Sequence, residues 1–298
     1  MKRLLYFFIL LFTPHLIAYE HELAICAIFQ NESLFLEEWL EFYKLIGVQH
    51  FYLYNNNSTD NYKEILNPYI QAGEVDIIQW DYSEEDYLNF AQSKAYNHCL
   101  NAVRGKVKWL AFLDIDEFLF SLEYDNLQNF LKNYEDYGAV CANWVMFGTS
   151  NIDTIPKNKL IIESLTMCSY TPTIMSVLIK SIVQPEKVEK FGIHNTDKFF
   201  PNFFQVTADK VAFEGSSAPS INITKLRINH YWARDEKWLR EVKIPRQASI
   251  HKRAWNYSSS ESKEWVLKHA NAMNEIQDLT IQRFVEPLRE ILIQNKKD

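Results

Sequence analysis

From residue 22 to residue 120, short apolar runs alternate with amphipathic stretches. Residues 23–29 form an unbroken apolar run of strand length. Ser33 is then placed to N-cap a helix, with Glu37 and Glu38 in its first turns. That helix has an apolar face of Trp39, Leu40, Phe42, Tyr43 and Ile46 and is closed by Gly47. Residues 51–54 predict a second strand and residues 55–60, NNNSTD, a loop of turn formers. A short helix over 61–70 ends near Gly73, and a third strand covers 75–80. A helix over 90–103 then leads into a fourth strand at 109–113. Strand alternating with helix predicts an α/β fold, a mostly parallel central sheet with crossover helices on its faces. Such sheets bind ligands outside the C-terminal ends of their strands. Three of those ends are polar here: Asn31-Glu32, residues 55–60 and residues 114–117.

The second half is less regular. Strands are predicted over 139–147, 177–182 and 211–213, with a strand or turn at 228–232 that carries His230. Ser258 opens a C-terminal helical segment, with Glu261 three residues on to complete a capping box. Trp265, Leu267, Ile281, Phe284 and Leu288 give that segment an apolar side. No internal repeat or low-complexity tract divides residues 22–298, which read as one domain. At the N-terminus Lys2 and Arg3 precede an apolar run over 4–12 that Pro14 interrupts. Residues 1–18 are expected to be a signal peptide, with an uncleaved signal-anchor as the alternative.

Composition removes several classes. With 31 Lys and Arg against 38 Asp and Glu, the formal charge is −7, which excludes a nucleic-acid partner held by a basic surface. Only 7 glycines are present, and no Gly-rich phosphate loop is among them, so a nucleotide must be held by side chains, a metal and strand-end backbone. Four cysteines without a C-x-x-C pair give no zinc knuckle. Cys26 and Cys99 fall on apolar positions and read as buried thiols, although an exported chain can oxidise four cysteines into two bridges. The aromatic content of 15% is mainly core material.

The candidate chemistry is concentrated in KWLAFLDIDEF, residues 108–118. A buried strand surfaces there into Asp114-Ile115-Asp116-Glu117. Carboxylates so close together call for a counter-charge, which a divalent cation carrying a diphosphate supplies. Asp116 is the first metal ligand to consider. Asp114, two residues away, points to the other side of an extended strand, toward a nucleotide's ribose, a metal-bound water or the metal itself. Glu117 is either a further acidic group or a charge at the start of a helix. Gln92 and Lys94, on the preceding helix, can flank a donor pocket.

The ordered series NESLFLEEWLEFYKLIGVQHFYLYNNNSTDNY, QSKAYNHCL, KWLAFLDIDEFLF, ANWVMFG, INHYWARDEKW and NEIQDLTIQRF resembles glycosyltransferase family 92, formerly a domain of unknown function, over nearly all of the chain past the leader. The resemblance implies a GT-A fold, with a donor half over 22–120, an acceptor half over 121–257 and C-terminal helices over 258–298. It also implies sugar transfer from a nucleotide-sugar, UDP-galactose in the first instance, to a glycan or other hydroxyl acceptor, with inversion and with Mn2+ or Mg2+ as cofactor. His230 becomes a third metal ligand, with His194 as its rival. Asn31, Glu32, Asn55 and Asp60 fall where the nucleotide binds, and Asp60 can also cap the following helix. Arg234 and Lys237 fall near the diphosphate. Inversion needs a general base, for which Asp197 and Glu214 are the candidates. Where the family carries Asp-Asn, this chain has Asn55-Asn56, one charge fewer.

Two other classes compete. A nucleotidyltransferase would need a Gly-rich or basic phosphate loop near the N-terminus, and residues 29–33 hold neither. A non-catalytic carbohydrate- or nucleotide-sugar-binding protein on the same fold is favoured by Asn55 and opposed by Asp114, Asp116 and His230. The leader implies the secretory pathway, a membrane-anchored protein or, if cleaved, an exported one. The sequons at Asn31, Asn56, Asn57, Asn222 and Asn256 then become acceptor positions.

Overall fold

The structure is a computed structural model that describes residues 18–83, 90–170 and 175–297, apart from the side chains of residues 253 and 254. The expected leader falls almost wholly outside them. Among the described residues no helix is long and apolar enough to cross a membrane.

The α/β architecture is present, and the first four strands match the pattern of the chain closely. They are β1 (His21–Phe29), β2 (His50–Asn55), β3 (Val75–Gln79) and β4 (Val107–Phe112). All run parallel, in the order β3-β2-β1-β4. β1 reads as an unbroken apolar run because both of its faces are covered. Leu23, Ile25, Ala27 and Phe29 enter the larger core, and Ala24, Cys26 and Ile28 the smaller one on the opposite face. Helices α1 (Ser33–Leu45) and α2 (Tyr62–Gln71) lie against the larger core, and α3 (Gln92–Ala102) against the smaller. Gly47 ends α1 as expected: its φ is +101°, and a Cβ there would meet Asn126 Nδ2 at 2.5 Å.

The sheet continues past β4 with mixed polarity. β5 (Glu117–Ser121), β6 (Ala139–Met146) and β8 (Ile179–Val183) follow in it, while the short β7 (Met167–Cys168) pairs with Ile276–Gln277 in a separate ribbon. β8 is antiparallel to both β4 and β6. β9 (Val188–Phe191) and β10 (Thr196–Phe199) form a separate hairpin, while β11 (Gln205–Thr207) and β12 (Ala212–Phe213) extend the sheet edge. β13 (Leu226–His230) lies between β5, antiparallel, and β6, parallel. Helix α4 (Leu127–Leu131) follows β5. After β13, a turn of helix at Glu236–Trp238, a π-turn at Leu239–Lys243 and α5 (Ile244–Trp255) run on without a break. Pro245 has no N–H to donate and its ring crowds the carbonyl four residues back, which accounts for the ladder opening just before it. Helix α6 (Ser259–Ala272) begins with the expected Ser258–Glu261 capping box, and α7 (Val285–Asn295) packs back on α1. All four cysteines are buried free thiols.

Three local expectations are corrected. Ser33 is the first residue of α1 and not its cap; the cap position is Glu32, with no side-chain bond of its own. Asp60 serves that end instead, because its Oδ2 accepts from Ser33 N at 2.8 Å, and α2 has no side-chain cap. Glu117 starts strand β5 and no helix, so its carboxylate is not a helix-end charge.

Candidate active site

β4 delivers its chain into a tight acidic turn. The Asp114 N–H donates to Glu117 Oε2 at 2.9 Å, and Glu117 N donates back to the Asp114 carbonyl at 3.1 Å. Two aromatic residues of α1 pin the start of β5: Trp39 Nε1 and Tyr43 OH donate to the Glu117 carbonyl at 3.0 and 2.9 Å. Asp114 and Asp116 therefore leave this turn in fixed and different directions.

Asp114 faces β8. Its Oδ2 meets Lys180 Nζ at 2.9 Å, and its Oδ1 accepts from Gln92 Nε2 at 3.2 Å and Tyr96 OH at 3.3 Å. Lys180 is fully buried and lies 3.7 Å from Glu117 Oε2 as well. Burial pushes Glu117 well above the usual carboxylate range, against the pull of Lys180. For Lys180, burial works to lower the ammonium, but Asp114 and Glu117 more than offset it and hold it above its ordinary value. A buried charge with partners on both sides is costly to disturb.

Asp116 faces β13. β13 lies in the groove between β5 and β6, with His230 opposite Glu117 on one side and Met146 on the other. Asp116 Oδ1 is 3.4 Å from His230 Nε2, and its Oδ2 is 3.8 Å from Lys243 Nζ on the π-turn. Burial alone would raise Asp116, yet His230, Lys243 and Arg234 keep it well below the usual range, so it is an anion at any physiological pH. His230 Nδ1 is buried without a hydrogen-bond partner. The His230 ring packs on Trp144 at 4.7 Å and Trp144 on His194 at 5.4 Å. Trp144 Nε1 and His194 Nδ1 are buried and unpartnered too. Burial first, then Lys180, pushes His194 down to about 4, leaving it neutral.

A cationic flank completes the site. Arg234 is nearly fully buried in a left-handed turn at φ 53°, a conformation that costs a residue of its size free energy and is concentrated at functional positions. Its guanidinium lies over the Phe35 ring at 3.6 Å and pairs with Glu32 Oε2 at 2.6 Å. Arg246 approaches Glu32 Oε1 at 3.5 Å. Burial raises Glu32, and both arginines oppose that shift.

The remaining predicted residues divide. Asn31, at φ 55°, braces the loop after β2: its Oδ1 accepts from Thr59 N at 2.7 Å. Asn55 is buried in the same loop, donating to Gln79 Oε1 at 2.8 Å and Tyr62 OH at 3.1 Å and accepting from Ser58 N. Lys94 is exposed, with its ammonium over the Phe90 ring. Lys237 is exposed on the helical turn after Arg234. Asp197 sits on the β9–β10 hairpin, paired with Lys190 at 3.3 Å, and Glu214 is exposed beyond β12. Lys180 and Lys243 carried no site expectation. A lysine at the centre of the apolar run 177–183 was the available signal, since it demands a partner from elsewhere in the chain.

Among the described residues, no group of three or more His, Cys, Asp and Glu side chains converges as a finished metal site. Asp116 and His230 fit a narrower role. A hard cation such as Mg2+ keeps several waters and takes one or two protein ligands plus substrate phosphates. An anionic carboxylate beside an imidazole with an unpartnered nitrogen suits that kind of site.

The sequence matches glycosyltransferase family 92 over residues 21–289, and the chain belongs to that family. Its mixed sheet, parallel over β3-β2-β1-β4, ends β4 in the acidic turn. A glycosyltransferase family 92 protein of Ricinus communis is 26% identical over 91% of this chain and 49% of its own length. One of Oryza sativa subsp. japonica is 29% identical over 71% of this chain and 33% of its own. The chain thus spans half or less of the length of these curated relatives. Galactan beta-1,4-galactosyltransferase GALS2 of Arabidopsis thaliana is 29% identical over 34% of this chain and 20% of its own. Among solved structures, S. aureus TarS 1-349 overlaps 84% of this chain and 71% of its own at 13% identity and a TM-score of 0.39.

Proposed function

We propose that this chain is a metal-dependent glycosyltransferase that moves a sugar from a nucleoside-diphosphate donor to a hydroxyl acceptor with inversion. The observation that carries the reading is the Asp116–His230 pair, 3.4 Å apart outside the C-terminal end of β4 in a family 92 chain. Asp116 and His230 would hold Mn2+ or Mg2+ here, with Asp114 remaining on Lys180. When bound, the cation acts as a Lewis acid on the diphosphate. Asp116, ionised at any working pH, keeps its ligand charge. The Trp39 and Tyr43 bonds to Glu117 fix the turn, so the carboxylate is pre-positioned before donor arrives. The loop after β2, braced by Asn31 and Asn55, gives the nucleotide a rigid wall. Galactose from UDP-galactose is the donor we favour, supported by the partial similarity to a galactan galactosyltransferase.

The test is nucleotide release from UDP-galactose, UDP-glucose and GDP-mannose, with Mn2+ or with EDTA and with galactan fragments as acceptor. The reading requires release from one donor that EDTA abolishes and an added acceptor accelerates. A folded protein that releases nothing from any donor contradicts it.

A further inference from the structure

The cationic flank has a member that the ion pairs around it do not satisfy. Arg234 is paired in charge with Glu32 and stacked on Phe35, although its buried Nε and Nη1 make no hydrogen bond, and Arg246 donates to the Gln30 carbonyl at 3.3 Å. Lys243 is held more loosely. Its ammonium makes a long ion pair with Asp116 Oδ2 at 3.8 Å, beyond hydrogen-bond reach, and a cation–π contact with the Trp232 ring at 4.5 Å. Its residue is only 9% exposed. Three cations, Arg234, Lys243 and Arg246, here meet two carboxylates, Glu32 and Asp116, leaving an excess of positive charge in a chain whose formal charge is −7. An ammonium has three donors, and one held by a single long ion pair and an aromatic face keeps them free for an incoming anion. The π-turn Leu239–Lys243 sets it there. The extra residue in that turn alters the facing of the side chains that follow, and such turns recur at functional sites.

We propose that Lys243 is a catalytic residue that binds the terminal phosphate of the nucleoside-diphosphate donor and stabilises it as the leaving group. The inference rests on the transferase reading above and extends it to a residue with no sequence signal. In the step, the bond between the sugar C1 and the β-phosphate oxygen breaks and its electron pair stays on that oxygen, where the Lys243 ammonium hydrogen-bonds. The acceptor oxygen forms the new bond to C1, and its proton passes to a general base. Arg234 acts differently. Locked against Phe35 and Glu32, it is a positioning residue that holds the start of the helix carrying Lys243.

The experiment measures Mn2+-supported binding of UDP and of UMP by calorimetry, with turnover of UDP-galactose, in the wild type, Lys243→Gln and Lys243→Arg. UMP lacks the phosphate that Lys243 is assigned. Loss of one charge-assisted hydrogen bond predicts that Lys243→Gln weakens UDP by roughly 10- to 100-fold and leaves UMP within about twofold. kcat falls at least as far as UDP affinity, and Lys243→Arg recovers part of both. Equal UDP affinity and equal kcat in Lys243→Gln and wild type overturn the proposal. So does parallel loss of UMP, which assigns Lys243 a structural role. A wild type that binds neither nucleotide fails at the transferase reading itself, and that result is separate because no variant is involved.

Discussion

Asp114 and Asp116 are two residues apart in sequence and lie in different surroundings. Asp114 is fully bonded although its side chain is the more exposed of the two, 33% against 18%: a buried lysine, a glutamine and a tyrosine occupy its oxygens at 2.9 to 3.3 Å. Asp116 is held at longer range, 3.4 Å from His230 Nε2 and 3.8 Å from an ammonium, and the other nitrogen of that imidazole, Nδ1, has no partner. Short, complete bonding marks a position that the fold needs. Longer, incomplete bonding around an ion held firmly in its charged form marks a position with room for a ligand. The turn between them, closed by Glu117, makes the two roles separable.

The largest expected effect is on the open side. Asp116→Asn keeps the shape and removes the charge, so donor turnover in Mn2+ should fall on the order of a hundredfold to a thousandfold, with little change in melting temperature. Steady-state kinetics and a melting curve on the same sample check both halves. On the closed side the expected damage is to folding. Lys180→Met leaves Asp114 and Glu117 without their shared cation and should cost about 3 kcal/mol of unfolding free energy in urea. Adding Asp114→Asn to that variant should restore part of the loss, because the stranded charge goes with it. If Lys180→Met melts like the wild type, the closed side is not what holds the turn.

A smaller effect sharpens the comparison with a carboxylate that lacks a close cation. Glu38 accepts from Ile161 N at 2.8 Å and Ile162 N at 3.1 Å, and burial pushes it up to about 7. Between the ordinary glutamate value and 7 the folded chain therefore holds a proton that the unfolded chain has released. The contribution of Glu38 to stability is complete below that window and is lost as pH rises through 7, by about 3 kcal/mol. Glu38→Gln should flatten the slope between pH 5 and pH 8. An unchanged slope would assign the pH dependence elsewhere.

The first half of the molecule was readable because its signals are local. The run 23–29 is apolar throughout since β1 is covered on both faces, and Gly47 marks the end of α1 because its left-handed backbone and its closeness to Asn126 suit no larger residue. The acidic turn was legible for the same reason, as a strand of buried residues ending in charge. What stayed hidden depends on distant pairing. β13 finds both β5 and β6, at separations of about 80 to 110 residues, and five-residue strands carry too little periodicity to announce such partners. Lys180 carried no expectation of its own, because only the pairing of β8 with β4 places it beneath Asp114. Asp60 was read as a cap for its own helix, but its loop folds over the start of α1 instead. Lys243 depends on a π-turn, and only Pro245 hinted at irregularity there.

The central claim is that the two aspartates divide the work, Asp116 binding the metal and donor and Asp114 holding the fold. Titration of UDP against Asp116→Asn and Asp114→Asn, each with Mn2+ and with EDTA, tests it most directly. The account predicts that Mn2+ tightens UDP binding to wild type and to Asp114→Asn, and has no effect on Asp116→Asn. Metal-dependent binding that survives in Asp116→Asn and disappears in Asp114→Asn would reverse the assignment and contradict the account.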